Sequence, residues 1–586
     1  MRNHNWRAAV VLGVSAALAL SACGGSSGSG GGGGGGAQAP SVGNQAVGKI
    51  ANPSNKKGGI IKFADASAPD SVDTGDTYYG YTWNFVRLYG RALTMFTPAP
   101  GNASNKLVGD LATGLGTPSN QAKTWTFHLR HGVKFEDGTE ITSADVKYGI
   151  ERSTDKTIFP DGPTYYDSLL SWPKGWKGPY KSKGMNTDSA ISTPDKYTVI
   201  FHFKAPFSDM NYLAMTPQTM PVPQSKDTGA KYKNHVVSSG PYMFASYNQS
   251  KGFTLKRNPN WSAATDPHRK ALPDGYTFAF NVNADDIDNQ IAAGTYDVAA
   301  ESVGVGPAMQ SEALRNPALR TRLDNPEAAR LQYTSIVPTV APLNNIHCRL
   351  AVEYAMDRTA YQTAYGGVLA GGAPTTTLML PILPGYKKFD LYPTPGGKGD
   401  LTKAKAELKA CGQPNGFSTN IAFRTDRDHE QSLAETWQQQ LNKVGIKLTP
   451  KGFTHDLYFS QYAGNPGYVV SHKLGLVVNS WGADWNDGYG MLSQIVDSRV
   501  IRATGGSSNI SVRIPAVDKM LDQAAVETNT AKRNALYGAI DNAVMKQAVI
   551  YPGLVAKLLL MRGKHLTNAF VNQQYGGYDY LSLGAK

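Results

Sequence analysis

The chain contains 586 residues, with 58 Lys or Arg against 45 Asp or Glu, so its formal charge is +13. This length exceeds what one hydrophobic core usually serves, and at least two lobes are expected. The positive charges are spread out, without a dense basic block or an RNA-binding signature, which argues against nucleic-acid binding and suits a protein beside an anionic envelope surface.

The N-terminal segment predicts export and lipid attachment. Arg2 and Arg7 precede an apolar run from Ala8 to Leu20, which has the length of a signal-peptide core and is too short to span a bilayer. The run leads into Ser-Ala-Cys23, which resembles the lipobox of bacterial lipoproteins. That resemblance implies a signal peptide over residues 1–22 and a lipid on the sulfur of Cys23. An ordinary secretory signal with an incidental cysteine is the alternative.

Residues 23–56 are predicted to be the lipidated cysteine and a flexible tether. The segment continues as GGSSGSGGGGGGG and then in small and polar residues. A glycine-rich coil of about 33 residues reaches roughly 30 Å, so we expect a folded body held near the outer face of the cell membrane.

The first half of the body alternates short strands with helix signals. Gly59 to Ala64 is typical of a buried strand, and Thr124 to Arg130 alternates apolar and polar residues as a half-buried strand does. Thr142 and Asp145 predict the start of a helix. Tyr197 to Phe203 predicts a further strand.

The second half is richer in helices. Apolar residues recur with helical spacing at Leu433, Trp437 and Leu441, and again from Leu536 to Ala548. The continuous apolar run Leu474 to Val478 predicts a strand covered on both faces. Strands and helices alternate, so the predicted class is α/β. No second hydrophobic span follows the N-terminal one.

Two cysteines remain in the body, Cys348 and Cys411. An oxidising compartment makes a disulfide between them plausible, and two buried free thiols are the alternative. No His/Cys cluster has the spacing of a metal site, so neither a metal nor a cofactor is expected.

Several motifs together resemble the family 5 extracellular solute-binding proteins, the oligopeptide- and dipeptide-binding components of ABC importers. The matches in chain order are KGG at 57–59, WTFHLRHGVKFEDG at 125–138, TSADV at 142–146, SGPY at 239–242, KRNP at 256–259, CRLAVEYAMDR at 348–358, VGI at 444–446 and WGADW at 481–485.

This resemblance implies a two-lobed, hinged α/β fold of the type II periplasmic-binding-protein kind with an extra inserted domain. The implied bounds are 57–95, 190–345 and 555–586 for the first lobe, 96–189 for the inserted domain and 346–554 for the second lobe.

The resemblance also implies a function without catalysis. A monomer would capture a small solute, expected to be a peptide, and pass it to an ABC permease. Alternatives are a different solute on the same fold (an oligosaccharide, a metal chelate or another amine), a secreted enzyme, and a signalling or adhesive lipoprotein. No metalloprotease motif, phosphate loop or nucleophile elbow in structural context supports an enzyme, and no catalytic residue is expected.

The expected ligand site centres on the WGADW segment. In peptide-binding members an aspartate at this position pairs with the ligand ammonium, which implies that role for Asp484. Trp481, Gly482, Ala483 and Trp485 would form the adjoining wall, with Trp485 standing where tyrosine is common. The alternative is that Asp484 caps a turn or helix.

Arg424 is the candidate for the ligand carboxylate. Counting back from the later motifs places it where dipeptide-binding members carry a carboxylate-binding arginine, and a guanidinium can bind a carboxylate through two parallel hydrogen bonds. The alternative is an internal ion pair with Asp426 or Asp428.

Overall fold

The computed structural model describes residues 41–301 and 303–586. The predicted signal peptide, Cys23 and the glycine-rich start of the tether lie outside the described residues. Within the described ranges, no helix combines the length and the apolar character needed to cross a bilayer.

The first lobe is built on a five-stranded sheet in which the predicted strand near residue 60 is second in spatial order. The strands in spatial order are Val298–Ala299, Ile60–Ala64, Gly275–Ala279, Gly252–Arg257 and Tyr242–Asn248. Ile60–Ala64 runs parallel to Gly275–Ala279. Phe278 stacks with Phe63 and with Phe253 at 4.3 Å between ring centroids, so aromatic packing holds this core together.

The predicted tether extends too far into the body. Gly43 donates its backbone N–H to Arg320, Ala46 donates to the Asp324 carboxylate at 2.9 Å, and the buried Ala51 pairs with Ala569. The composition of residues 41–56 gives no sign of partners so far along the chain. Small and polar residues alone therefore predicted a free coil up to residue 56.

The inserted domain contains an antiparallel sheet and the predicted helix. The strands in order are Thr117–Ser119, Thr124–His128, Thr198–His202 and Ile191–Asp195. Helix Ser143–Ser153 begins with the capping box expected from Thr142 and Asp145. Because Thr198–His202 pairs along the whole of Thr124–His128, this domain continues past the implied end at residue 189.

The second lobe contains a larger mixed sheet. Its strands in order are Ala373–Pro374, Ile550–Lys557, Glu327–Ile336, Leu474–Gly482, Ser418–Arg424 and Lys447–Phe453. Glu327–Ile336 was expected in the first lobe, yet it lies between two second-lobe strands and pairs with both. The lobe therefore begins nearer residue 327 than residue 346.

Two adjacent chain segments connect the lobes. Leu323 and Asp324 pair with Met561 and Leu560 on the first-lobe side. Three residues further on, Glu327 pairs with Lys557 at the start of the second-lobe sheet. A pair of antiparallel segments that crosses between two bodies is a natural hinge.

Helices cover the sheets of both lobes. The longer ones are Gly80–Val86, Ala284–Ala293, Pro307–Arg315, Ile346–Ala355, Arg358–Ala364, Leu401–Ala410, Asp428–Asn442, Gly488–Val496, Pro515–Val526 and Thr530–Met545. The predicted disulfide is present: Cys348 on Ile346–Ala355 is bonded to Cys411, which follows Leu401–Ala410.

Candidate functional site

A cavity lies where the two lobes and the inserted domain meet. Its lining residues come from all three parts. The first lobe provides Asp70, Tyr78–Tyr81 and Tyr575, the inserted domain provides Asp161, and the second lobe provides Arg330, Arg424, Arg427 and Trp481–Asp484. Clefts between domains are the usual place for small-molecule sites.

Asp484 is held in the cavity wall by two tyrosines. Tyr78 of the first lobe and Tyr165 of the inserted domain each donate a hydroxyl hydrogen bond to its Oδ2, both at 2.5 Å. Among the described residues, none donates to Oδ1 and no cationic side chain forms an ion pair with this carboxylate. One oxygen of Asp484 is therefore able to accept a hydrogen bond from a partner in the cavity.

The electrostatics of Asp484 favour such a partner. Burial raises the pKa of its carboxyl to about 7, although the hydrogen bonds from Tyr165 and Tyr78 act in the opposite direction. A nearby cation favours the ionised form of a carboxyl and so lowers a pKa that burial has raised. Strongly perturbed groups of this kind concentrate at functional sites.

The three residues before Asp484 also line the cavity, in agreement with the expected placement of Trp481, Gly482 and Ala483. Trp481 packs edge-on to Tyr78 at 5.7 Å between ring centroids. A Cβ added to Gly482 would meet nothing nearer than 3.7 Å, so the backbone here is open to a ligand.

Trp485 does not line this cavity, and its predicted place in the ligand wall is wrong. Its side chain is fully buried, packs on Tyr165 at 5.0 Å and donates its indole N–H to Asp209 at 3.2 Å. Tyr165 and Asp209 precede it by more than 270 residues, so the sequence around Trp485 carries no sign of this packing. The side chain joins the second lobe to the inserted domain.

Arg424 lines the cavity but is already paired within the chain. Its guanidinium forms two hydrogen bonds to the carboxylate of Glu430, through Nη2 to Oε1 and through Nε to Oε2 at 3.0 Å. The alternative of a pair with Asp426 or Asp428 is also wrong, because helix Asp428–Asn442 presents the buried Glu430 to the strand that ends at Arg424.

An ion cluster at the edge of the cavity connects the lobes. Glu301 of the first lobe contacts the guanidinium of Arg427 and lies 3.1 Å from Nδ1 of His455. Asp426 is 3.3 Å from the same His455 nitrogen. The carboxylate oxygens of Glu301 and Asp426 and the ring nitrogen of His455 lie within 4.8 Å of one another, as metal ligands could. Because Arg427 already supplies a cation here, the cluster fits an ion bridge between the lobes better than a metal site.

Sequence reasoning missed Tyr78, Tyr165 and Arg330. Tyr78 lies in the aromatic run TYYGYTW at 77–83, which was the one available signal. Nothing near Tyr165 or Arg330 marks them, because Tyr165 reaches Asp484, and Arg330 reaches the cavity, through the packing of distant elements.

Comparison with known proteins gives a consistent result. The model of the bacterial extracellular solute-binding proteins, family 5 (middle), matches residues 106–501. The glutathione-binding protein GsiB of Shigella dysenteriae is 26% identical over 467 residues, which are 78% of this chain and 83% of that protein.

Solved structures show the same architecture. Clavulanic acid biosynthesis oligopeptide binding protein 2 superposes with a TM-score of 0.84 at 38% identity, over 94% of this chain and 99% of that one. The periplasmic binding protein DppA from Helicobacter pylori, in complex with the peptide STSA, has a TM-score of 0.73 at 20% identity, over 91% and 99% of the two chains. The latter likeness establishes the two-lobed fold.

Proposed function

The chain belongs to family 5 of the bacterial extracellular solute-binding proteins, and we propose that it captures peptides between its lobes and delivers them to the permease of an ABC importer. The similar proteins named above are described as binding glutathione, an oligopeptide or the peptide STSA. These ligands share an ammonium group and at least one carboxylate.

The observation that carries the proposal is the state of Asp484. Its side chain is half-buried, Tyr78 and Tyr165 orient its carboxylate, and it has no cationic partner among the described residues. An uncompensated carboxylate in a cavity is costly unless a ligand supplies the positive charge. The N-terminal ammonium of a peptide has the charge and the hydrogen-bond donors that this site needs.

The path of the chain between the lobes supports capture by closure. The chain crosses between the lobes in two adjacent antiparallel segments, at 324–327 and 557–560, and such a pair of crossings can act as a hinge. The ion bridge from Glu301 to Arg427 joins the lobes beside the cavity. A ligand that contacts both lobes would favour the closed arrangement by its differential affinity for that arrangement.

We also propose that the protein works outside the cytoplasm, tethered by a lipid on Cys23. The disulfide between Cys348 and Cys411 supports an oxidising compartment. Two or more acyl chains are needed for stable anchoring, and metabolic labelling with a palmitate analogue would test the anchor directly. Loss of label in Cys23→Ser is the expected result.

Ligand-induced thermal stabilisation tests the peptide function. At a concentration 100 times its Kd, a peptide should raise the Tm of the wild type by about 2 °C. Asp484→Asn should remove this shift, while Asp274→Asn, an exposed aspartate of the first lobe, should retain it. A full shift in Asp484→Asn would take Asp484 out of the site. If mass spectrometry of the purified protein identified an uncharged sugar as the ligand, the peptide assignment would fall.

A further inference from the structure

Of the three arginines that line the cavity, Arg330 is the one that has no side-chain partner within the described residues. It lies on strand Glu327–Ile336, directly opposite Gly482 in the register of the sheet. Its side chain lines the interlobe cavity and a second cavity beside it. Among the described residues, none accepts a hydrogen bond from its guanidinium and none forms an ion pair with it.

The other two cavity arginines differ from Arg330 in this respect. Arg424 is held by Glu430, and Arg427 by Glu301 and Glu430. Burial lowers the pKa of Arg330, with Tyr365 opposing and Arg424 adding to the effect, whereas the carboxylate of Glu430 raises the pKa of Arg424 despite burial. Arg330 is thus a half-buried cation, and no anion among the described residues offsets its desolvation.

Arg330 and Asp484 line the same cavity, and among the described residues neither has a partner of opposite charge. They do not neutralise each other, since no ion pair joins them. Their backbone positions are nonetheless close, because Arg330 pairs with Gly482 and Asp484 lies two positions after Gly482. Two residues span at most about 7 Å of backbone. This arrangement matches a small molecule with a positive group at one end and a negative group at the other.

Building on the proposed function, we infer that Arg330 binds the C-terminal carboxylate of the ligand and that the ligand is a short zwitterionic peptide of about two to four residues. Binding of the ligand carboxylate was expected for Arg424, but the guanidinium of Arg424 is already paired with Glu430. Arg330 takes this role instead. The guanidinium can donate two parallel hydrogen bonds to a carboxylate. A long peptide would place its carboxylate beyond the reach of Arg330 and would leave the guanidinium uncompensated.

A glycine of the first lobe lies beside the guanidinium of Arg330. Gly576 of the first lobe also lines the cavity, and a Cβ built on it would lie 3.7 Å from Nη2 of Arg330. The guanidinium therefore reaches from the second-lobe sheet to the first-lobe wall. A carboxylate bound to it would contact both lobes, as closure by a ligand requires.

Paired peptide libraries test the inference on the wild-type protein. Tripeptides with free C-termini and the same tripeptides as C-terminal amides are compared by calorimetry, with N-acetylated tripeptides as a third set. The wild type should bind the acids at least about tenfold more tightly than the amides, since a charge-assisted hydrogen bond is lost. Equal affinity for acids and amides would overturn the inference and leave the proposed function standing.

Variants then assign the effect to Arg330. Arg330→Gln should lose the preference for acids while remaining sensitive to N-acetylation, and Arg330→Lys should restore part of the preference. Arg513→Gln, at an exposed arginine of the second lobe that does not line the cavity, should behave as the wild type. A full acid preference in a folded Arg330→Gln would refute the assignment. If the wild type bound no peptide of any set, the proposed function would fail and this inference with it.

Discussion

The hydroxyl of Tyr165 in the inserted domain donates a hydrogen bond to Oδ2 of Asp484 in the second lobe, at 2.5 Å. The two residues are 319 positions apart in the chain. Because Tyr78 of the first lobe donates to the same oxygen, one carboxylate brings together all three parts of the body. The geometry of the cavity therefore depends on how these parts are docked.

Tyr165→Phe should weaken peptide binding by about tenfold. The ring is retained, but Asp484 loses one of two donors to its Oδ2, and a hydrogen bond to a charged group contributes about 1.5–3 kcal/mol. Calorimetry with a bound tripeptide measures the effect. The matched control is Tyr166→Phe, whose hydroxyl donates to the backbone of Leu213. Equal affinities in the two variants would mean that Tyr165 does not position Asp484 for binding.

Asp484→Asn should stabilise the protein without ligand at pH 8 by about 1–3 kcal/mol. Burial raises the folded-state pKa of Asp484 from 3.8 to about 7. Between these values the folded protein binds more protons here than the unfolded chain, so its stability falls as pH rises from about 4 to about 7 and remains lower above that range. Asparagine cannot ionise and avoids this loss.

Denaturant unfolding at pH 4 and pH 8 checks this difference. The gap between Asp484→Asn and the wild type should be small at pH 4 and largest at pH 8. Asp274→Asn serves as the exposed control. A wild type that is more stable than the variant at pH 8 would show that Asp484 has an internal cationic partner in solution.

Affinity for a peptide should rise with pH. An ammonium pairs with ionised Asp484, and in the free protein this group is mostly protonated below its pKa of about 7. Binding at pH 5.5 should therefore be about 10- to 30-fold weaker than at pH 7.5, with proton release on binding near neutrality. Calorimetry in two buffers of different ionisation enthalpy measures both quantities. The same pH dependence in Asp484→Asn would assign it to another group.

Removal of the disulfide should destabilise the second lobe by about 4 kcal/mol, since the bond closes a loop of 63 residues. Denaturant unfolding of Cys348→Ala/Cys411→Ala against the wild type measures the loss. Peptide affinity should be unchanged under native conditions, because neither cysteine lines the cavity. Unchanged stability would mean that the bond does not form in the purified protein. Weaker binding would mean that it also shapes the site.

Local patterns predicted much of the secondary structure. The alternation in Thr124–His128 and the capping residues of Ser143–Ser153 are properties of short segments, and the structure confirms both. The lobe boundaries were less accurate, because the membership of Glu327–Ile336 depends on pairing with strands more than 140 residues away. Local sequence specifies that a strand forms, while its neighbours are specified by long-range packing.

By itself the sequence determined the class of fold and the order of its motifs, and through the family resemblance it indicated the segment Trp481–Asp484, which lines the cavity. It left open whether Cys348 and Cys411 are bonded, and the structure decided this. Only the tertiary structure decided that Trp485 packs into the inserted domain, that Glu430 pairs with Arg424 and that Arg330 has no anionic partner in the part of the chain that the structure describes. The physical reason is that burial and charge pairing depend on which side chains meet in space. The chemistry of an arginine or an aspartate determines what it can bind. The packing of distant elements determines whether the chain or a ligand supplies the partner.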